Sequence, residues 1–242
     1  INGFPEQLIE RMIELVDPGR ASTVLDAMAG DGNLTERLIR FCAARGIGLP
    51  RTTVLDYSSV QIELARRKFG GMGIECIWGD MLTMTSRDGA TALPEGVFDR
   101  VMIKSGNHEL RPADQAILYR NIFRLLKDGG LFVNLGFLFD DEVERDEFRR
   151  ITRVQDSLAG LRGMVKNRHF ATREEFDAAT EEAGFREAVV REPIIYTLRS
   201  DIAARHYFPP EKREAFETIL QSSQVKARTL RRHGRIRFSE EA

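Results

Sequence analysis

Cysteine is nearly missing from this chain: 242 residues hold only Cys42 and Cys76. Their spacing suits neither a metal site nor a disulfide framework, and both read as small core residues, one in a helical pattern and one in a strand-like run. No resident metal is expected. Net charge is missing too, with 36 basic side chains against 37 acidic ones, so charge alone selects no partner. No apolar run approaches the roughly 20 residues of a membrane-spanning helix, and the first residues show no basic, apolar and small-residue leader pattern. A cytoplasmic protein with no membrane partner is the expectation. Internal repeats and low-complexity linkers are lacking as well. The composition that remains, 42% hydrophobic and 30% charged, is that of an ordinary globular chain. It is long enough for one domain with a sizeable core plus an appendage, so residues 1–242 are treated as a single unit.

Within that frame, strand-like runs alternate with helix-period segments. Residues 6–16 set Ile9, Met12, Ile13 and Val16 on one helical face, and Asp17-Pro18-Gly19 stops them. Strands are expected at 23–27, 52–57, 74–78, 97–104 and 131–139. Helices are expected between them, the second starting at a Ser58 or Ser59 cap and breaking at Gly70-Gly71. A helix over 174–183 ends at Gly184, and two closely spaced strands, 185–191 and 194–199, follow. Strict alternation implies parallel strands joined by helical crossovers, whereas the short Glu192-Pro193 link permits only an antiparallel pairing. The expected fold is therefore α/β: a doubly wound, mostly parallel seven-stranded sheet with an antiparallel last strand. Helices cover both faces, with extra helices at the N- and C-terminal ends.

Open sheets of this kind bind ligands beyond the C-terminal ends of their strands. After the first strand, Gly30 and Gly32 lie in a short turn leading into a helix, where backbone can approach a ligand and free N–H groups face an anion. Asp26 can order that turn or reach a cationic amino group. Asp56, one βα unit on, stands where an acid accepts from ribose hydroxyls. Gly79-Asp80-Met81 ends the third strand, where Asp80 can accept from an adenine amino group and Met81 can pack on the ring. Each residue alone is as readily a turn former or helix cap. Their order along the chain strengthens the joint reading.

Residues 20–139 resemble the cofactor half of class I S-adenosylmethionine-dependent methyltransferases. DAMAGDG is similar to the family's glycine-rich motif, VLDYSSVQIELARRK to its ribose-binding strand and helix, and GDM to its adenine-side motif. FDRVMIKSGNHEL and IFRLLKDGGLFVNL resemble the fourth strand and the helix-turn-strand that follows. The resemblance implies S-adenosyl-L-methionine as cofactor and S-adenosyl-L-homocysteine as product. It also implies a lining of Asp26, Met28, Gly30, Gly32, Asn33, Asp56, Tyr57, Asp80, Met81, Lys104 and Ser105. One departure stands out: Met28 replaces the first glycine of the usual pattern, so the turn accommodates a side chain there, and a negative φ is expected. Its absence also counts against a pyrophosphate-binding nicotinamide enzyme.

A sulfonium carries its methyl group already activated, so the protein's tasks are placement, water exclusion and, where needed, proton removal. The run Lys104-Ser105-Gly106-Asn107-His108-Glu109-Leu110 after strand four is the expected acceptor-side loop. His108 is a candidate base near neutral pH, with Glu109 orienting it or taking the proton itself. Asn107, Arg168, His169 and Tyr207 are candidate substrate contacts. Residues 140–170 form a candidate lid, although their basic cluster reads first as a solvated helix face. Residues 200–242 read as a helical extension ending in a basic tail.

A small-molecule acceptor, methylated on O, N or C, is the preferred function. Methylation of RNA or protein through the tail at 226–237 is the second choice, and a non-catalytic cofactor-binding module the third. Nucleic acid is not the expected partner: no Asn/Asp-Pro-Pro-aromatic sequence follows strand four, and no Pro-Cys pair offers a cytosine nucleophile. A homo-oligomer stays open.

Overall fold

The computed structural model describes residues 4, 6–89, 92–186, 188–189, 196–199, 212, 214–215 and 236–239. For 196–199 and 236–239 the description covers the backbone alone. Helix α1 (Glu6–Val16) buries the expected stripe of Ile9, Met12, Ile13 and Val16. It is followed by β1 (Thr23–Ala27), α2 (Asn33–Arg45), β2 (Arg51–Asp56), α3 (Ser59–Phe69) and β3 (Glu75–Asp80). Next come β4 (Thr85–Ser86), β5 (Phe98–Lys104), α4 (Pro112–Leu125) and β6 (Leu126–Leu135). Ser58 caps α3 by accepting from Gln61 N, one of the two serines the sequence offers.

These strands form a six-stranded sheet in the order β4-β3-β2-β1-β5-β6. Every pairing is parallel except β3 with β4. The fold is thus the expected α/β class, but the described sheet has six strands, and its antiparallel member is the β4 edge strand and not the last strand of the chain. Alternation along each strand supplies two cores. Leu25, Ala27, Leu55, Val101 and Ile103 pack with Leu118, Ile122 and Leu125 of α4 on one face. Val24 and Met102 pack with Ile9, Met12, Leu34 and Leu38 on the other, where Val54 meets Ile62 and Phe69 of α3.

Beyond the sheet, β7 (Leu138–Phe139) pairs in parallel with β8 (Ala171–Thr172). The two strands bracket α5 (Glu142–Leu158) and α6 (Arg162–Asn167). Helix α7 (Arg173–Ala183) begins with a capping box between Thr172 and Glu175 and ends at left-handed Gly184, as its sequence implies. The seventh strand and the antiparallel closing pair expected over 185–199 fall mostly outside the described residues. The described part, β9 (Tyr196–Arg199), pairs in parallel with β10 (Ile236–Ser239) in a separate two-stranded sheet. The expected helical extension over 200–242, including Tyr207 and the basic tail, lies almost entirely outside the described residues. Of that stretch, residues 214–215 are helical and 236–239 extended.

The end of the sheet away from the ligand side is fastened by Asp99. Its Oδ2 accepts from the N–H groups of Ser22 and Thr23 at 2.8 and 2.9 Å and from Thr23 Oγ1 at 3.0 Å. Its Oδ1 accepts from Lys127 Nζ at 2.9 Å. The Lys127 bond foremost, and then the Ser22 and Thr23 donors, hold this carboxyl well below its ordinary value of 3.8. Such an acid stabilises the fold fully above its unfolded pKa, and the contribution fades as pH falls below it. Asp99→Ala is expected to lower unfolding free energy by about 2 kcal/mol at pH 7, measured by urea denaturation. The difference from the parent protein should shrink in acid.

Candidate functional site

Strand β1 has β2 on one side and β5 on the other, so the connections leaving it and β5 diverge to opposite faces of the sheet. Ligand sites of doubly wound sheets lie at this reversal. The turn after β1 hangs from the end of β2: Ala29 N donates to Leu55 O at 3.0 Å and Gly30 N to Asp56 Oδ2 at 2.7 Å. Positive φ recurs at every second residue, Met28 (54°), Gly30 (59°) and Gly32 (76°), and winds the turn tightly before α2 begins. A Cβ on Gly32 would run into the Phe69 ring, so that glycine is demanded by space as well as by φ. Asp31 is held outward by Lys68 Nζ at 2.8 Å.

Met28 corrects the sequence expectation. Its φ is positive, not negative, a conformation that costs a residue with a Cβ about 1 kcal/mol or more. The turn keeps the left-handed bend and places a side chain on it, packing Met28 against the core around Leu25 and Ile103. Ser105, at the end of neighbouring β5, is likewise left-handed (φ 61°). Two strained residues therefore face the switch point from adjacent strands.

Asp26 takes the first of its two expected roles. Fully buried, its Oδ2 accepts from Thr35 N at 3.1 Å and Thr35 Oγ1 at 2.7 Å, which ties the first turn of α2 to the sheet. Burial pushes its pKa up to about 7 against those hydrogen bonds. Asp56 holds Gly30 N with one oxygen and Ser58 N with the other, at 2.7 and 2.8 Å. A carboxylate offers about four lone-pair sites, which leaves capacity for a diol. Asp80 Oδ1 accepts from Leu82 N at 2.8 Å and shapes the bend after β3. Met81 is a core residue, 4% exposed among Leu55, Met84 and Leu118, so the ring-packing role assigned from sequence gives way to packing of the fold. Tyr57 is exposed, with the Arg87 guanidinium 4.3 Å from its ring centre and its carbonyl accepting from Trp78 Nε1.

Lys104 and Asn33 complete the lining. Lys104 is largely buried at the end of β5, and burial lowers its pKa while Asp26 and Asp31 raise it. Asn33 Oδ1, buried at the start of α2, has no hydrogen-bond partner among the described residues. A tight left-handed turn, a helix N-terminus, a diol-ready carboxylate and a buried ammonium together fit a nucleoside bearing an amino-acid tail.

The loop after β5 divides the two candidate proton carriers. His108 is 5% exposed, stacked on Phe170 with ring centres 5.2 Å apart and edge-on to Phe137 at 5.3 Å. Burial first, and then Arg168, lower its pKa to about 3, so a base working near neutral pH is not what the structure shows at this position. Its backbone carbonyl accepts from His169 N at 3.0 Å, and Gln115 Nε2 donates to His169 O at 2.9 Å. His169 itself lies 3.3 Å from Glu175. Glu109 behaves differently. Burial chiefly, with Asp56 and Asp156 adding to it against Arg168, raises its pKa to about 7. Asn107 is buried, its Nδ2 donating to Tyr119 Oη at 3.1 Å while its Oδ1 has no hydrogen-bond partner among the described residues.

Helices α5 and α6 occupy the expected lid segment. Phe148, Ile151 and Phe170 are wholly buried, and each such side chain contributes about 1.5–3 kcal/mol, so this is a packed cap and not a free flap. Arg162 and Lys166 are exposed, as the solvated-face reading has it. Arg168 instead turns inward, with Nε 3.0 Å from the buried Asp156 carboxylate. The contact is an ion pair without hydrogen-bond alignment: among the described residues, Arg168 Nε and both Asp156 oxygens have no hydrogen-bond partner. Asp156 is invisible in sequence, being one acid among many in a highly charged helix. Gly106 and Thr35 were also passed over, since only the adjoining loops reveal what each does.

This geometry defines a Rossmann-like nucleoside-cofactor site. Residues 24–130 match the model of the methyltransferase domain family, a match that supports a class I S-adenosylmethionine-dependent methyltransferase. Over 118 residues the chain is 27% identical to the ubiquinone/menaquinone biosynthesis C-methyltransferase UbiE of Escherichia coli, covering 49% of this chain and 43% of that protein. The chain thus spans less than half the length of the curated relatives it matches. Among solved structures it is similar to the YcgJ protein of Bacillus subtilis, with TM-score 0.70, 17% identity and coverage of 93% and 88% of the two chains. It also resembles human N-acetylserotonin methyltransferase in complex with S-adenosylmethionine, with TM-score 0.54, 17% identity and coverage of 75% and 47%. These structural likenesses bear on the fold.

His108 gives a direct check on this geometry. Between about pH 3 and its ordinary 6.5 the folded protein binds less proton there than the unfolded chain, so stability falls as pH falls through that window. His108→Phe is expected to remove this loss, and its stability relative to the parent should rise as pH drops from 6.5 to 4.5, followed by denaturant titration at each pH.

Proposed function

We propose that this chain transfers a methyl group from S-adenosyl-L-methionine to an O, N or C nucleophile of a small-molecule acceptor, and that it does so in the cytoplasm. The observation that carries the proposal is the joint placement of the β1 turn, Asp56 and Glu109 around one sheet reversal. The bound cofactor supplies the activated methyl group. Gly30, Gly32 and the α2 N-terminus hold its amino-acid end, with Lys104 offering a cation to the carboxylate. Asp56 takes the ribose, and Asp80 and Tyr57 flank the base.

On the acceptor side, the buried Asn107 Oδ1 and His108 Nδ1 have no hydrogen-bond partner among the described residues, and the ion-paired Arg168 Nε and Asp156 carboxylate lack an aligned hydrogen bond. Buried polar atoms are nearly always paired, so this cluster favours a small polar acceptor enclosed beneath the cap over a macromolecule. A relative named for ubiquinone/menaquinone biosynthesis, UbiE, supports the same reading. Glu109, not His108, is the proton acceptor in this scheme, since its pKa of about 7 suits transfer near neutral pH. Residues 140–170 exclude water by staying packed.

Calorimetry should detect binding of S-adenosylhomocysteine to the intact chain, and absence of binding by folded protein would overturn the proposal. With an acceptor drawn from a metabolite pool, S-adenosylhomocysteine formation should rise with pH to a plateau above about 7, as Glu109 ionises. Glu109→Gln should lower the rate about 100-fold and abolish that rise. A Glu109→Gln variant with the parent's pH profile would remove Glu109 from the scheme.

A further inference from the structure

We infer that Met28 and Gly106 form a positioning pair that fixes the cofactor turn against the loop carrying Glu109. The inference rests on the reading of those two loops as the methyl-transfer site. Gly106 has φ −93° and ψ −44°, an ordinary right-handed conformation, so its backbone gives no reason for glycine. Space gives the reason. A Cβ at Gly106 would lie 2.7 Å from Met28 Cβ, 3.0 Å from Met28 Sδ and 3.3 Å from Ile103 Cγ2. The first distance is far inside van der Waals contact and involves an atom fixed directly to backbone, which no side-chain rotation relieves.

The left-handed φ of Met28 explains the encounter. It presents the Met28 Cβ and thioether to the space above Gly106, on the adjacent strand. Where Met28 takes a glycine's place in the β1 turn, Gly106 gives up its own side chain in the facing loop. The consequence is mechanical coupling. Met28 lies two residues before Gly30, whose N–H grips Asp56. Gly106 O accepts from Glu109 N at 3.0 Å and closes the turn that holds Glu109. One contact therefore joins the wall of the cofactor site to the group that accepts the proton, and the pair sets the separation between them.

The test is a set of variants measured for S-adenosylhomocysteine affinity by calorimetry, with melting temperature recorded beside it. Gly106→Ala in the parent chain should weaken affinity about tenfold or more, an overpacking cost. In a Met28→Gly background the same Gly106→Ala change should cost far less affinity, because both Cβ and thioether are gone and only the 3.3 Å approach to Ile103 Cγ2 remains. In a Met28→Ala background the effect should persist, because the Cβ remains. Rescue by glycine but not by alanine distinguishes this contact from a general dislike of alanine at 106. An unweakened Gly106→Ala protein, rescue by neither background, or equal rescue by both would overturn the inference. If Gly106→Ala fails to fold, the double variant with Met28→Gly should fold, and its failure would equally overturn it. Should the parent chain not bind S-adenosylhomocysteine at all, the methyltransferase reading falls, while melting temperatures of the same variants still decide whether the pair exists.

Discussion

The position of β1 between β2 and β5 is the constraint on which the site depends. A parallel sheet whose strand order reverses there sends one crossover to each face, and the space between them cannot be filled by either connection. Everything assigned to the cofactor hangs on that arrangement. The β1 turn is suspended from the end of β2 through Ala29 and Gly30, α2 is anchored to the sheet through Asp26 and Thr35, and the β5 loop closes the other side. Left-handed Met28 and Ser105 mark both margins, and strain of this kind persists only where surrounding structure over-determines it.

Burial then decides which side chains take part in chemistry. His108 and Glu109 are adjacent in sequence, yet the aromatic cluster of Phe137, Phe148 and Phe170 takes the imidazole into the cap while the carboxyl stays near Asp56 and Arg168. Desolvation acts on both and has opposite meaning for them. It makes the histidine a poorer base and the glutamate a better one. The same cap buries Asp156 against Arg168 without completing their hydrogen bonds, an arrangement that costs stability unless something else meets those atoms.

Much of the fold was legible because it follows from local pattern. The apolar stripe of α1, the Ser58 cap, the Gly184 stop and the alternation that fixes a parallel sheet all appear in sequence and recur in structure. Strand ends shifted by a residue or a few, most at β6, which begins directly after α4 because Leu126 already pairs with Phe98 of β5, with an irregularity in register before pairing resumes at Leu131 with Arg100. The proposed cofactor residues Gly30, Gly32, Asp56 and Asp80 stand at or just beyond the ends of β1, β2 and β3, positions that the alternation of strand and helix marks in sequence. The φ of Met28 is not legible in sequence, because the turn keeps a glycine's left-handed bend while carrying a side chain. His108 was misjudged because its aromatic neighbours come from distant segments, and Met81 because a methionine beside a motif carries no sign of which way it packs.

The most direct test of the central claim is electron density for S-adenosylhomocysteine in crystals grown with it. The ribose hydroxyls should meet the Asp56 carboxylate, with the amino-acid end at the turn of Met28 to Gly32 and the adenine beside Asp80. A ligand ordered elsewhere, or one seated at this reversal with its ribose away from Asp56, would contradict the account.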